Sequence, residues 1–197
     1  VAAKRAIQKG EVLDVPSSDF QEFCARFPFT ETEDQSQAID DVVGDISSGR
    51  PMDRLICGDV GFGKTEVALR AAFVAAMNGV QVAVVVPTTL LALQHFATFR
   101  ERFAGLPIRV AQLSRFVTAK DAETTRNELR DGSLDIVIGT HALLGKSVEF
   151  SNLGLLVVDE EQHFGVAQKE RLKRLKANVH ILTLTATPIP RTLQMAL

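Results

Sequence analysis

The stretch Gly58-Asp59-Val60-Gly61-Phe62-Gly63-Lys64-Thr65 decides the fold of this chain. It fits the pattern G-x-x-x-x-G-K-[ST], follows a short apolar run at 55–57 and precedes a helix-like segment at 65–77. The glycines allow successive backbone N–H groups to turn inward around an anion. In this pattern the lysine reaches the β- and γ-phosphates of a nucleotide, and the threonine hydroxyl binds Mg²⁺. The stretch therefore predicts a MgATP site built on a strand, a loop and a helix.

Short β-branched runs alternate with longer helical stretches along the rest of the chain. The predicted strands lie at 55–57, 80–86, 108–113, 134–138, 155–158 and 181–184. The predicted helices lie near 33–48, 65–77, 89–103, 119–131 and 167–176. This alternation is typical of βαβ units, so we expect a three-layer α/β fold with a mostly parallel central sheet and ligands at the carboxyl ends of its strands.

The composition excludes several classes of protein. A chain of 197 residues with 46% hydrophobic and 23% charged residues suits one globular domain rather than a disordered segment. No apolar run reaches the ~18 residues of a membrane helix, and the polar N-terminal segment does not have the pattern expected of a signal peptide. Cys24 and Cys57 lie far apart in sequence, without other metal-binding residue types beside them. We therefore expect neither a disulfide nor a metal cluster, and a cytoplasmic location.

The charge and the two ends of the chain bear on its domain organisation. A net charge of −2 is unusual for a stand-alone nucleic-acid-binding protein. The chain starts without Met and stops at Met195-Ala196-Leu197, within a helix-like stretch. We therefore expect an excised piece that forms one wall of a cleft. Within it we expect a helical or irregular lead-in at 1–28, with a loop at 14–19, and the nucleotide-binding domain at 29–197.

A second candidate site motif ends another apolar run. Leu155-Leu156-Val157-Val158-Asp159-Glu160 is a predicted buried strand that finishes in two acids. In phosphoryl-transfer enzymes such acids hold Mg²⁺ and orient or deprotonate the attacking water, the roles expected here for Asp159 and Glu160. An acidic helix cap after a strand is the alternative interpretation. The phosphate-loop pattern upstream favours the catalytic one.

At these acids the chain resembles a known family, the superfamily 2 helicases and translocases. Asp159-Glu160-Glu161-Gln162 is similar to motif II of that family. The other boxes appear in the family order: Thr32-Glu33-Asp34-Gln35 resembles the Q motif with Phe29 upstream, Pro87-Thr88-Thr89-Leu90-Leu91-Ala92 motif Ia, Gly139-Thr140-His141-Ala142-Leu143-Leu144 the next DNA-contact box, and Thr185-Ala186-Thr187-Pro188-Ile189-Pro190-Arg191-Thr192 a lengthened motif III. The resemblance implies a RecA-like P-loop NTPase domain that is the first of two lobes.

The lengthened motif III is similar to that of one branch, which contains the RecG helicases and the transcription-repair coupling factors. Ser114-Arg115-Phe116 and the doubled acid before Gln162 resemble the coupling factors. RecG-like proteins carry one acid fewer in motif II. His163 departs from the family, because many relatives have Arg there.

The resemblance also implies roles for single residues in nucleotide binding and hydrolysis. Phe29 would stack on adenine, and Gln35 would hydrogen-bond the edge of the base. For Phe29 the alternative is an ordinary packing role. Thr32 and Gln35 also form a capping-box pattern, so capping and adenine recognition would compete for one carboxamide. The catalytic set implied by the motifs is Lys64, Asp159, Glu160 and Gln162, with Thr65 and Asp159 on Mg²⁺.

Residues that follow other predicted strands would line a DNA path. They are Thr88, Thr89, Arg115, Thr140 and His141. Short hydroxyls contact phosphates without reading sequence, and turn or cap chemistry is the alternative for each of them. Thr185 and Thr187 would couple the γ-phosphate to this path. We expect His95 and His180 to be structural, and Arg191 to start a helix rather than act as an arginine finger.

Three functions remain in competition. The favoured one is the ATP-binding lobe of a double-stranded DNA translocase that displaces stalled RNA polymerase and couples transcription to DNA repair. Its expected partners are double-stranded DNA, a second RecA-like domain and, through other domains, RNA polymerase and repair proteins. The second is a RecG-like helicase of branched DNA. The third is a nucleotide-dependent switch without motor activity, which the catalytic acid Glu160 disfavours.

Overall fold

The computed structural model describes residues 12–59, 61–160, 164–165 and 178–186. The helices are α1 (Ser17–Ala25), α2 (Glu33–Ile46), α3 (Lys64–Met77), α4 (Thr89–Arg102) and α5 (Ala119–Asp131), with a short 3₁₀ turn at His141–Leu144. The strands are β1 (Asp53–Cys57), β2 (Gln81–Val85), β3 (Val110–Leu113), β4 (Ile136–Gly139), β5 (Leu153–Asp159) and β6 (His180–Thr185). The helix expected at 167–176 lies outside the described residues.

The described strands form one six-stranded sheet in the order β1-β6-β5-β2-β4-β3. Every neighbouring pair in it is parallel. Each of the predicted strands overlaps one of these, so the α/β fold with a parallel sheet is confirmed. Their ends differ from the prediction by at most two residues, because hydrogen-bond pairing rather than local composition sets where a strand starts and stops.

The sheet is covered on both faces, which makes three layers. In β2 the side chains alternate between the two sides: Val82 and Val84 join the core that contains α3, whereas Ala83 and Val85 join the core under α5. Since both faces are buried, the strand is continuously apolar. Helix α3 is buried at every position from Glu66 to Ala76, as its all-round apolar sequence predicts.

The loop that we expected at 14–19 is wrong for residues 17–19, which form the start of helix α1. Pro16 occupies the N-cap position, where its missing N–H costs nothing, and the helix begins at Ser17. Phe23 is 1% exposed and stacks on Phe73 of α3 with ring centroids 4.5 Å apart. A polar sequence around two aromatic residues at helical spacing therefore folds onto the main core. The domain boundary at residue 28 stays a prediction.

None of the helices in the described part of the chain has the length and apolar character needed to cross a membrane.

Candidate functional site

Parallel strands place the predicted site residues along one edge of the sheet. Cys57 pairs with Thr185, Asp159 with Leu184, and Val85 with both Val158 and Gly139, so the carboxyl ends of the strands are aligned. Across the sheet from β1 to β3, the residues at or just beyond these ends are Gly58, Thr185, Asp159, Thr88, Thr140 and Arg115. The predicted nucleotide residues therefore occupy one half of the edge, and the predicted DNA residues the other half.

The phosphate loop joins β1 to α3. The Gly58 N–H donates to the Thr185 carbonyl at 3.1 Å, which fixes the start of the loop to β6. The Lys64 ammonium donates to the carbonyl oxygens of Gly58 and Asp59, the second at 2.9 Å. Lys64 is also the first residue of α3, so its charge stands at the positive end of a 14-residue helix. A helix N-terminus that carries a lysine is a ready anion site.

The two acids lie beside this loop. Asp159 is the last residue of β5, and its side chain is 14% exposed. Glu160 has φ 55°, a left-handed conformation that is uncommon for a residue with a side chain. Its carboxylate accepts from the Ala186 N–H at 2.7 Å and from the Thr185 hydroxyl at 3.2 Å. The backbone turn thus aims Glu160 at the end of β6, and the predicted coupling residue Thr185 contacts the predicted catalytic acid directly.

One cavity of about 530 Å³ brings the central residues together. It is lined by Lys64, Thr65, His95, Asp159 and Glu160, among others. A hydroxyl and a carboxylate are ligands that Mg²⁺ prefers, usually with several waters and substrate phosphates completing the shell. Among the described residues no group of three or more His, Cys, Asp or Glu could hold a metal ion by itself. The donor set therefore fits a hydrated Mg²⁺ that arrives with a nucleotide.

The sequence analysis did not anticipate the position of His95. We expected a structural histidine, but its Nε2 lies 3.3 Å from Oδ2 of Asp159. The two residues are far apart in sequence, and only the packing of α4 against the sheet brings them together. The His180 imidazole agrees with expectation, since its Nδ1 accepts from the buried Met52 N–H at 3.1 Å.

The two predicted adenine residues face different cavities. Gln35 completes the capping box: its Oε1 accepts from the Thr32 N–H at 2.9 Å, and its backbone N–H donates to the Thr32 hydroxyl oxygen at 3.2 Å. Its Nε2 also donates to the Phe62 carbonyl in the loop at 2.8 Å. Phe29 is 73% exposed and lines another cavity of about 550 Å³ together with Thr65. Its ring meets Phe27 edge to face with centroids 5.6 Å apart and is otherwise exposed, whereas both polar atoms of the Gln35 carboxamide have partners.

A buried ionic cluster follows the loop, and sequence reasoning missed it. Glu66 accepts from Arg70 at 2.9 Å and from Arg102 of α4 at 2.7 Å, and Arg70 also pairs with Glu31. The Arg102 guanidinium stacks over the Phe23 ring at 4.7 Å. Burial raises the pKa of Glu66, and the hydrogen bond from Arg70 opposes this. The hydrogen bond from Arg70 lowers the pKa of Glu31. These contacts tie the segment before the Q motif to the phosphate-loop helix.

The predicted DNA residues have local structural roles as well. The Thr88 hydroxyl caps α4 by accepting from the Leu91 N–H at 3.2 Å. The Thr140 hydroxyl accepts from the Ala142 N–H at 3.5 Å and is largely buried. Arg115 and His141 are exposed. Capping accounts for the two threonines whether or not DNA binds, so their contact with DNA stays a prediction.

Three residues of the predicted site, Val60, Gln162 and Thr187, lie outside the described residues. The same holds for His163 and Arg191.

Comparison with known proteins supports the family resemblance that the motifs indicated. The sequence model described as DEAD/DEAH box helicase matches residues 32–196. The transcription-repair-coupling factor of Haemophilus influenzae is 57% identical over 197 residues, which cover 100% of this chain and 17% of that protein. The factor of Escherichia coli is 56% identical over 197 residues, again with 100% and 17% coverage. This chain therefore spans only a small part of the length of these relatives.

Solved structures agree with the fold. RecG bound to a three-way DNA junction superposes with a TM-score of 0.84 at 37% identity, covering 99% of this chain and 26% of that one. The DEAD-box helicase Mss116 bound to ssRNA and UDP-BeF has a TM-score of 0.71 at 23% identity, covering 94% and 41%, and shows the fold alone. The RecA-like fold and the resemblance to the transcription-repair coupling factors are both confirmed. The chain belongs to the DEAD/DEAH box helicase family, whose members are ATP-dependent superfamily 2 enzymes.

Proposed function

We propose that this chain is the ATP-binding lobe of a double-stranded DNA translocase that displaces stalled RNA polymerase and couples transcription to DNA repair. The observation that carries the proposal is the convergence of Lys64, Thr65, Asp159 and Glu160 on one cavity at the carboxyl edge of the sheet. High identity to transcription-repair-coupling factors over the whole chain supports the assignment to this branch.

Each group has a task in nucleotide binding. Lys64 exchanges the loop carbonyls for the β- and γ-phosphates, and the N–H groups of the loop and of the first turn of α3 hold the remaining phosphate oxygens. Thr65 and Asp159 hold Mg²⁺, which when bound neutralises charge on the transferred phosphoryl group. Phe29 stacks on the base, and the edge of Gln35 that remains accessible contacts it.

Glu160 is proposed as the catalytic carboxylate of the site. Its carboxylate accepts a proton from, or orients, the water that attacks the γ-phosphate. Thr185 and Ala186 hold that carboxylate in place, so a shift of Glu160 on hydrolysis would move the end of β6. Motif III would thereby pass the state of the nucleotide to the DNA-facing half of the edge.

A second RecA-like domain is proposed to complete the site. In this type of motor it supplies an arginine finger, which is worth about 10³–10⁵ in rate. We therefore propose that this chain by itself binds MgATP but hydrolyses it barely above background. DNA-stimulated turnover at a robust rate by the 197-residue chain alone would contradict this.

A RecG-like helicase of branched DNA is the second candidate. The likeness to RecG bound to a three-way junction, at 37% identity, favours it. The doubled acid of motif II and the higher identity to the coupling factors, 57%, favour the translocase.

The deciding experiment uses the full-length natural protein that carries this sequence. RNA polymerase is stalled on linear duplex DNA, ATP is added, and polymerase release is followed by gel shift, with Lys64→Ala as the control. ATP-dependent release that the control loses supports the translocase. Absence of release, together with ATP-dependent unwinding of a model fork, supports the RecG-like helicase instead.

A further inference from the structure

His95 has a position that capping, core packing and the motifs leave unexplained. The residue lies on α4, where Ala92, His95, Phe99 and Arg102 form the buried face. At this spacing an apolar side chain would pack as well as the neighbours do. Instead the imidazole, 9% exposed, reaches the cavity of the phosphate loop and lies 3.3 Å from Asp159.

The other nitrogen of the ring makes this placement costly. His95 Nδ1 is buried and has no hydrogen-bond partner in the part of the chain that the structure describes. A buried polar atom left without a partner destabilises a fold. His180 does not carry that cost, because its Nδ1 accepts a hydrogen bond from the Met52 N–H. The contact between Nε2 and Asp159 therefore accounts best for a histidine at this buried position.

The Nε2–Oδ2 separation of 3.3 Å is an ion-pair contact rather than an aligned hydrogen bond. Because a carboxylate only accepts hydrogen bonds, a small rotation of either side chain would let an Nε2–H donate to Asp159. Carboxylates that bind metals are held in turn by outer groups, and loss of such a group commonly costs about 10–100-fold in metal affinity or activity. Asp159 is the only residue of β5 that lines the cavity, and it stands at the end of its strand. Without a lateral contact its carboxylate is free to rotate.

We propose that His95 is a positioning residue for Mg²⁺ binding: its Nε2–H holds the Asp159 carboxylate so that the other oxygen stays available to the metal and its waters. The proposal rests on the proposed MgATP site. It makes α4, which begins beside the predicted DNA residues Thr88 and Thr89, part of the metal site.

The test measures metal binding by this chain rather than turnover. Fluorescent mant-ATP is titrated at increasing Mg²⁺, and Mn²⁺ binding in the presence of ADP is followed by electron paramagnetic resonance. His95→Leu removes the N–H donor. His95→Gln keeps an N–H donor at a reach similar to that of Nε2, and His95→Asn places it nearer the backbone. His180→Gln controls for loss of a buried imidazole.

We expect His95→Leu and His95→Asn to raise the Mg²⁺ concentration for half-maximal mant-ATP binding about 10–100-fold, with Mn²⁺ binding weakened alike. Binding of mant-ATP in EDTA should not change. His95→Gln should restore most of the metal affinity, and His180→Gln should keep the wild-type midpoint. If His95→Leu does not fold, the contrast between His95→Gln and His95→Asn carries the test.

Unchanged Mg²⁺ midpoints in His95→Leu or His95→Asn would overturn the proposal, as would equal weakening in His95→Gln and His95→Asn. A different result separates it from the proposed function. If the wild-type chain fails to bind mant-ATP at every Mg²⁺ concentration, the proposed nucleotide site itself is contradicted.

Discussion

The Gln35 carboxamide lies where a side chain on Gly63 would have to go. A Cβ added to Gly63 would lie 2.0 Å from Gln35 Nε2, and the residue has φ 69°, where only glycine is unstrained. The same Nε2 donates to the carbonyl of the neighbouring Phe62. The start of α2 and the phosphate loop are therefore fitted to each other, and the conformation of one depends on the other.

This relationship predicts the effect of Gly63→Ala. The new methyl group forces Gln35 out of its place and strains the loop backbone, so we expect mant-ATP affinity to fall by about tenfold or more. Gly105→Ala is the matched control, because Gly105 has φ 78° but nothing within 4 Å of an added Cβ. It should lose a similar amount of stability to strain and keep its affinity. Wild-type affinity in Gly63→Ala would refute the fit of loop to Gln35.

Phe29→Ala tests the base contact. The ring is 73% exposed, so its removal should leave the unfolding midpoint unchanged. Loss of an aromatic stack worth about 0.5–1.5 kcal/mol predicts roughly 2- to 10-fold weaker mant-ATP binding. Phe116→Ala is the control, since Phe116 is 68% exposed and follows β3 at the other end of the sheet edge. Equal mant-ATP affinities of the two variants would show that Phe29 does not contact the base.

Glu160→Gln separates binding from hydrolysis. The amide keeps the size of the side chain and one acceptor for the Ala186 N–H, but it is a poor base. In the full-length protein we expect ATP affinity near that of the wild type and turnover lower by about 10²–10⁴. The companion variant Lys64→Ala should instead lose affinity. Normal turnover in Glu160→Gln, measured by phosphate release, would show that another group activates the water.

Removal of Glu66 should destabilise the chain strongly. Glu66→Ala leaves Arg70 and Arg102 buried with their main carboxylate partner gone, and breaking such a cluster costs about 3–5 kcal/mol. Glu123→Ala breaks an exposed pair with Arg126 and should cost less than about 1 kcal/mol. Urea unfolding at pH 7 measures both. Equal costs would mean that the buried cluster adds no more to stability than the exposed pair does.

The Glu31–Arg70 pair predicts a pH dependence of stability. The hydrogen bond from Arg70 lowers the pKa of Glu31 in the folded chain. The stabilisation is therefore fully present above the unfolded pKa of about 4.3 and is lost as pH falls through the folded value. We expect the free energy of unfolding of Glu31→Gln to lie below that of the wild type at pH 6 and to approach it in acid.

Urea titrations between pH 6 and pH 3 check this prediction. Glu22→Gln is the control, because it removes the same charge from a residue that is well exposed and pairs with Arg26. A constant difference between wild type and Glu31→Gln over that pH range would contradict the assigned ion pair.

Much of the site could be predicted from the sequence, because the motifs that form it are short and continuous in the chain. The phosphate loop, Asp159 and Glu160 follow apolar strands, and parallel pairing then places them at one edge without further information. The bounds of helix α1 were not predicted within the expected helical or irregular lead-in, because its polar sequence shows a helical pattern only through Phe20 and Phe23, whose rings pack near Phe73 of α3. The capping box at Thr32 was recognised, but not that Gln35 also holds the loop.

By itself the sequence determined the α/β alternation, the phosphate cradle and the acids, since each depends on a fixed spacing within a few residues. Only the tertiary structure decided which distant groups meet there. His95 reaches Asp159, Arg102 reaches Glu66, and Gln35 fills the space beside Gly63. These contacts depend on how α2 and α4 pack against the sheet and the loop, and side-chain packing across tens of residues leaves no periodic trace in the chain.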